Sequence, residues 1–135
     1  MALASFSSVF LELNALRDNQ DPTELIEHIK MISNVDFRDP HTGLTLLHVA
    51  AWKHNIPIIS LLLEKGADPN VKSNRGEVPI LRALGRNHKN NPEILQLFLN
   101  YGLSLDNTNQ DGTTIRDIIL SFEDRELTRI IQDSQ

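Results

Sequence analysis

Residues 43–70 read GLTLLHVAAWKHNIPIISLLLEKGADPN, and this stretch sets the reading of everything around it. Thr45 stands just before the apolar run LLHVAA, where a hydroxyl can accept from the free N–H groups of a helix's first turn. The polar residues WKHN break that run, and IPIISLLLEKG then offers a second apolar helix. Gly66 follows it, where glycine can take the left-handed conformation that ends a helix. The stretch predicts two short helices joined by a brief break and closed by the polar turn GADPN.

The same pattern recurs along the chain, and a recurrence of this kind decides the fold class. A shift of 33 residues places Gly43 on Gly76, Thr45 on Val78, Leu47 on Ile80 and Ala50 on Ala83, so GEVPILRAL is a second copy of the first helix. For the second helix the shift grows to 36: Ile58 falls on Ile94, Leu61 on Leu97, Leu63 on Leu99 and Gly66 on Gly102. The three extra residues lie within GRNHKNNP. A third copy begins at DGTTIRDIIL, where Thr114 and Asp117 have the spacing of a capping box. Its second helix is EDRELTRII, with Leu127, Ile130 and Ile131 on one face. The first 33 residues lack the signature but keep the shape. Phe6, Val9, Phe10, Leu13 and Leu16 predict a helix over 7–16, and Leu25, Ile26 and Ile29 predict another over 22–32, capped by Asp21. Pairs this short are not stable alone, and stacking joins their apolar faces into one core. Ala50, Ala51 and Ala83 are small where two layers would approach closely.

Through Gly43, Thr45, Leu47, His48, Ala50, Ala51, Leu62, Leu63, Gly66, Ala67, Asp68 and Asn70 the stretch resembles an ankyrin repeat, whose pattern is G-x-T-P-L-H-x-A-A…L-L-x-x-G-A-D-x-N. Leu46 stands where Pro is usual, and His54-Asn55 where Gly-His is usual. The resemblance implies an all-α solenoid of stacked antiparallel helix pairs with short β-hairpin-like loops. One domain over 1–135 is expected: a divergent helix pair over 1–36, a repeat over 37–70, a repeat over 71–106 with an insertion near 86–92, and a capping repeat over 107–135. The polar, turn-rich segments 34–43, 68–76 and 104–112 are expected to form the fingers between repeats.

Composition narrows the function classes. The chain has no cysteine, which excludes disulfides and cysteine-ligated metal centres. No leader pattern of a secreted protein opens it, and no apolar run approaches the ~20 residues that cross a bilayer, so an intracellular, cytoplasmic protein is expected, a translocated effector in a host cytoplasm being one form of it. The net charge of −5 argues against a dedicated nucleic-acid binder. That charge is uneven: Lys72, Arg75, Arg82, Arg86 and Lys89 make a basic middle between two acidic ends. No paired-histidine metal motif, phosphate-cradling glycine loop, nucleophile elbow or dinucleotide fingerprint is present, so no catalytic, cofactor-binding or metal site is expected. The first-turn acids Glu24, Glu27, Glu123, Asp124 and Glu126 read as complements to helix dipoles.

What the resemblance implies is a protein–protein interaction module, acting as adaptor, inhibitor or microbial effector. It also implies that His48 hydrogen-bonds to backbone between repeats, and that the two positions after the alanine pair, Trp52 and Lys53, face a concave groove. The finger and groove positions map to His41, Thr42 and Leu44, then to Asn74, Arg75, Glu77, Gly85 and Arg86, then to Gln110, Asp111 and Thr113. For Trp52 a groove position and a place in the core are both open. Arg82 is expected on another face. The expected partner is a protein, with an acidic patch if the basic middle lines the groove; the alternative is an anionic ligand, nucleic acid or membrane surface, held by 72–89. The loop 87–91 reads either as a contact loop or as slack.

Overall fold

The structure is a computed structural model and describes residues 6–85 and 88–134. Among the described residues there are eight helices and no strand: α1 (Phe6–Ala15), α2 (Thr23–Lys30), α3 (Leu46–Lys53), α4 (Ile56–Glu64), α5 (Pro79–Leu84), α6 (Asn91–Asn100), α7 (Ile115–Ser121) and α8 (Arg125–Asp133). Each odd-numbered helix packs on the even-numbered one that follows it. The helices α1, α3 and α5 stack in one layer, and α2, α4, α6 and α8 in a second.

Local chemistry explains where the helices begin. Thr45 accepts from the His48 N–H at 3.3 Å, Asn55 from Ile58 at 3.1 Å, Thr114 from Asp117 at 3.1 Å and Asp124 from Leu127 at 3.0 Å. Each supplies an acceptor to a first-turn donor that has no partner within the helix. Asp21 accepts from both the backbone and the hydroxyl of Thr23, and these bonds hold its carboxyl below the usual range, the hydroxyl bond most.

Burial follows position in the stack. In α3, every residue from Leu46 to Ala51 is buried, because neighbours cover it on several sides. In α7 and α8 the buried stripe shrinks to Ile115, Ile119, Leu127 and Ile131. Ala50, Ala51 and Ala83 are fully buried where α3 meets α5, a close approach that larger side chains would prevent.

The fingers repeat one hydrogen-bond scheme. Asp39 N–H donates to Leu44 O, Ser73 N–H to Glu77 O, and Asn109 N–H to Thr113 O, at 2.8–2.9 Å. Adjacent fingers are tied: Asn74 donates from its backbone to Thr42 O and from its amide to His41 O. Gly43 sits at that seam with φ +73°, and a Cβ there would lie 2.7 Å from Asn74 N. Only glycine meets both conditions.

Some expectations need correcting. The break after LLHVAA is shorter than predicted, since α3 continues through Trp52 and Lys53 and ends at His54, which takes the left-handed conformation at φ 56°. Polar side chains on a solvent face do not stop a helix; a backbone reversal does. The helix α2 is two residues shorter at its end and starts at Thr23. Asn91, assigned to the inserted loop, is buried as the first residue of α6. Glu123 precedes α8 with φ 56° and does not sit in its first turn.

Candidate partner-binding surface

The surface rests on His48. This side chain is fully buried, and both of its ring nitrogens are committed. Thr45 N–H donates to Nδ1 at 3.0 Å, and Nε2 donates to Glu77 O at 2.7 Å. An Nδ1 that accepts and an Nε2 that donates define the neutral ring. Burial pushes its pKa down to about 4, against the opposing bond to Glu77 O, with the Arg82 and Arg38 charges lowering it further. The ring therefore fixes the start of α5 relative to α3 and has no nitrogen left for a substrate.

His54 repeats the arrangement at the other end of α5. Its Nε2 donates to Ala83 O at 2.9 Å, with Asn91 Oδ1 at 3.2 Å, and its ring stacks on His88 at 4.2 Å. Both links span 29 residues, so two histidines of one unit hold the residue that leads into α5 and the last turn of α5 itself.

On this frame the outward side chains of α3 and α5 meet. Trp52 is 41% exposed, so it is not a core residue. Arg82 Cζ lies 5.0 Å from the centroid of its ring. This corrects the expectation that Arg82 lies elsewhere: it shares the Trp52 face. A signal for this was available. At a shift of 33 Arg82 falls on Val49, one turn before the Gly85 that matches Trp52, and so it reaches back across the seam. Arg82 Nη1 is 3.8 Å from Glu77 Oε1, and both side chains are partly exposed.

The remaining expected residues divide into tied and open groups. Lys53 is tied, its Nζ donating to Leu16 O at 2.7 Å across the first seam. Asn74 is tied between fingers, and Leu44 is half-buried at the base of the first finger. His41, Thr42 and Arg75 are exposed on the fingers, as are Gln110, Asp111 and Thr113 on the last one, and Gly85 is exposed after α5. Thr42 donates to Asp39, which keeps that carboxyl below its usual range. Arg86 lies outside the described residues. Arg38 was missed by the sequence reading. It bonds Gly43 O at 3.2 Å and Asn74 Oδ1 at 3.4 Å, adding a cation beside the seam between the first two fingers. Phe37, 53% exposed and 5.8 Å from the Phe6 ring, was missed as well, because it stands alone in a polar segment.

Clefts lie elsewhere as well. One of about 610 Å³ lies between Leu84, His88 and Pro92 on one side and Phe122 and Asp124 on the other. Among the described residues no group of three or more histidines and acids is placed to hold a metal ion, and no helix is long and apolar enough to cross a membrane.

Comparison with known proteins agrees with this architecture. The family model described as "Ankyrin repeats (many copies)" matches residues 47–99. The chain is 37% identical over 81 residues to ankyrin repeat protein 14 of vaccinia virus, covering 60% of this chain and 32% of that protein. It is 33% identical over 88 residues to a putative ankyrin repeat protein of Rickettsia felis, covering 60% of this chain and 38% of that one. It is 46% identical over 44 residues to the human BRCA1-associated RING domain protein 1, covering 33% of this chain and 6% of that protein. The chain thus spans well under half the length of these relatives. Stacked helix pairs, finger hydrogen bonds, the His48 link and these matches have one common explanation: the chain belongs to the ankyrin-repeat family.

Proposed function

We propose that this chain recognises a partner protein on the face built by α3, α5 and the fingers before them, and carries no chemistry of its own. Ankyrin repeats mediate protein–protein interaction, and the family is typically non-enzymatic. The observation that carries the placement is Trp52. It is a large, partly exposed aromatic on a rigid helix, and such side chains supply binding area at little entropic cost. Its seat is held at both ends by His48 and His54, so the surface is presented without rearrangement. The role is that of an adaptor or inhibitor in the cytoplasm. The poxviral and rickettsial relatives support a host-directed variant of it, while the human relative supports an ordinary cellular one.

The distribution of positive charge favours a protein partner over a polyanion. Lys72 bonds Thr108 on a finger, Arg75 sits in the second finger, Arg82 lies over Trp52, and Lys89 is in the loop before α6. These are separate places rather than one strip, and Glu77 stands among them. A partner with an acidic patch suits the Arg75 and Arg82 side of the face.

The experiment is affinity capture with the wild-type chain and with a Trp52→Ala, Arg75→Glu double variant of unchanged circular dichroism. Loss of specific proteins from the variant's capture, with no general change in salt-released nucleic acid, is expected. Retention of the same protein set by the folded variant would remove the assignment of this face.

A further inference from the structure

We propose that Arg82, seated on Trp52, is the residue that reads the partner, and that the partner supplies an acidic protein segment in which an Asp or Glu carboxylate meets Arg82 while a neighbouring apolar side chain covers Trp52. The inference rests on the reading of this face as a docking surface and names the chemistry that it selects.

Three observations carry it. First, the guanidinium lies over the indole at 5.0 Å, an attraction that positions the cation without requiring its N–H donors. Second, among the described residues no acceptor lies within hydrogen-bond distance of those donors. Nη1 stands 3.8 Å from Glu77 Oε1, which is an ion pair but too long for a hydrogen bond, and Nε is buried with no acceptor. Third, the side chain is only 27% exposed, so its desolvation has been met largely on folding, before any partner arrives. A partly buried, pre-positioned guanidinium with unfilled donors binds a carboxylate more strongly than a solvated lysine does, because a carboxylate can accept two parallel bonds from one guanidinium. Glu77 keeps the cation in place without occupying its donors, and its own backbone is pinned by His48.

Trp52 keeps 41% of its surface exposed with the Arg82 cation 5.0 Å from its ring, so the complementary group is a carboxylate next to an apolar side chain, which adjacent residues of one peptide segment provide. A phosphate-rich polymer fits less well. It would bring many charges to a place where, among the described residues, Arg82 already faces the Glu77 carboxylate, and it would set no apolar group against the indole.

Trp52 is the chain's only tryptophan, so its emission reports this place alone. A tryptophan-free random peptide library is displayed on phage and selected on the immobilised full chain. The enriched sequences are then made as synthetic peptides and titrated against wild type, Arg82→Gln and Arg82→Lys, with thermal melting as the fold control. The expected result is enrichment of Asp or Glu adjacent to Leu, Ile or Phe, and a binding-dependent change in Trp52 emission. Affinity should fall about tenfold or more in Arg82→Gln at unchanged melting temperature, with a smaller loss in Arg82→Lys. Replacing the peptide's carboxylate by its amide should cost as much in wild type and little more in Arg82→Gln. Enriched peptides that change Trp52 emission but lack an acid, or bind Arg82→Gln within twofold, would overturn the carboxylate reading and leave the docking face standing. No enriched peptide, or binding that leaves Trp52 emission unchanged, would overturn both.

Discussion

At the scale of single residues, His48 connects sequence, fold and surface most tightly. Its ring is neutral and closed between Thr45 N–H and Glu77 O, with a pKa of about 4 against an ordinary 6.5. The unfolded chain therefore binds a proton that the folded chain refuses between those two values. The stability that the neutral ring provides is complete above pH ~6.5 and is lost as pH falls toward 4, by about 3 kcal/mol in all. Urea titrations across that range should show this slope, and His48→Gln should flatten it while lowering stability at pH 7 by about 2–4 kcal/mol, since buried backbone groups lose their partners. A slope that persists in the variant would assign the titration to another group. The role of His48 was legible because its pattern neighbours are in place. The matching role of His54 was not, since it stands where the usual order of residues is altered, and only a backbone at φ 56° brings its ring to Ala83 O.

At the scale of elements, the seams decide which helices move together. Lys53 Nζ caps the open carbonyl of Leu16 just after α1, and Lys65 Nζ caps that of Lys30 at the end of α2. Two lysines of one unit thus hold both helix ends of the unit before it, where cations also complement the negative ends of the helix dipoles. Lys53→Met keeps the stem and removes the cap. It is expected to cost about 1 kcal/mol and to raise amide exchange in α1 without changing exchange in α6. Equal exchange in α1 before and after the change would mean that the link contributes nothing. The sequence located these helices because apolar side chains at helical spacing survive even where the repeat signature is gone, as in Val9, Leu13 and Leu16. It misplaced Lys53 for a physical reason. Position alone suggests an outward side chain, but a flexible stem bends back to an unsatisfied carbonyl. The face of Arg82 was misjudged likewise, because its neighbour Trp52 belongs to the preceding unit and the contact crosses a seam that no single repeat displays.

At the scale of the whole molecule, the chain is a stack whose two ends differ from its middle. The last pair buries only a narrow stripe, and Arg116, standing where Leu is usual, pairs with Asp106 at 3.1 Å at the edge of the core. In a quasi-one-dimensional stack such an end opens first. Leu127→Ala, which removes one of its few buried anchors, should cost about 2–5 kcal/mol and raise exchange in α7 and α8 well before α3 responds. A uniform rise across all helices would show a single cooperative unit instead. We propose the division into a leading pair over 1–36, repeats over 37–70 and 71–106, and a closing repeat over 107–135, because each seam between these units carries its own cross-links: Lys53 to Leu16 at the first, His48 to Glu77 and Ser104 to Asn70 at the second, and Lys72 to Thr108 and Arg116 to Asp106 at the third. The proposed docking face lies on the middle of the stack, where α3 and α5 meet.

Site-specific photocrosslinking tests that central claim most directly. A photoreactive phenylalanine analogue is placed at Leu44 at the base of the first finger, or at Gln96 on the outward side of α6, and the chain is irradiated in cell extract. The account predicts a discrete covalent protein adduct from position 44 that an excess of unlabelled chain competes away, and none from position 96. Adducts of equal yield from both positions, or a competed adduct from position 96 alone, would contradict it.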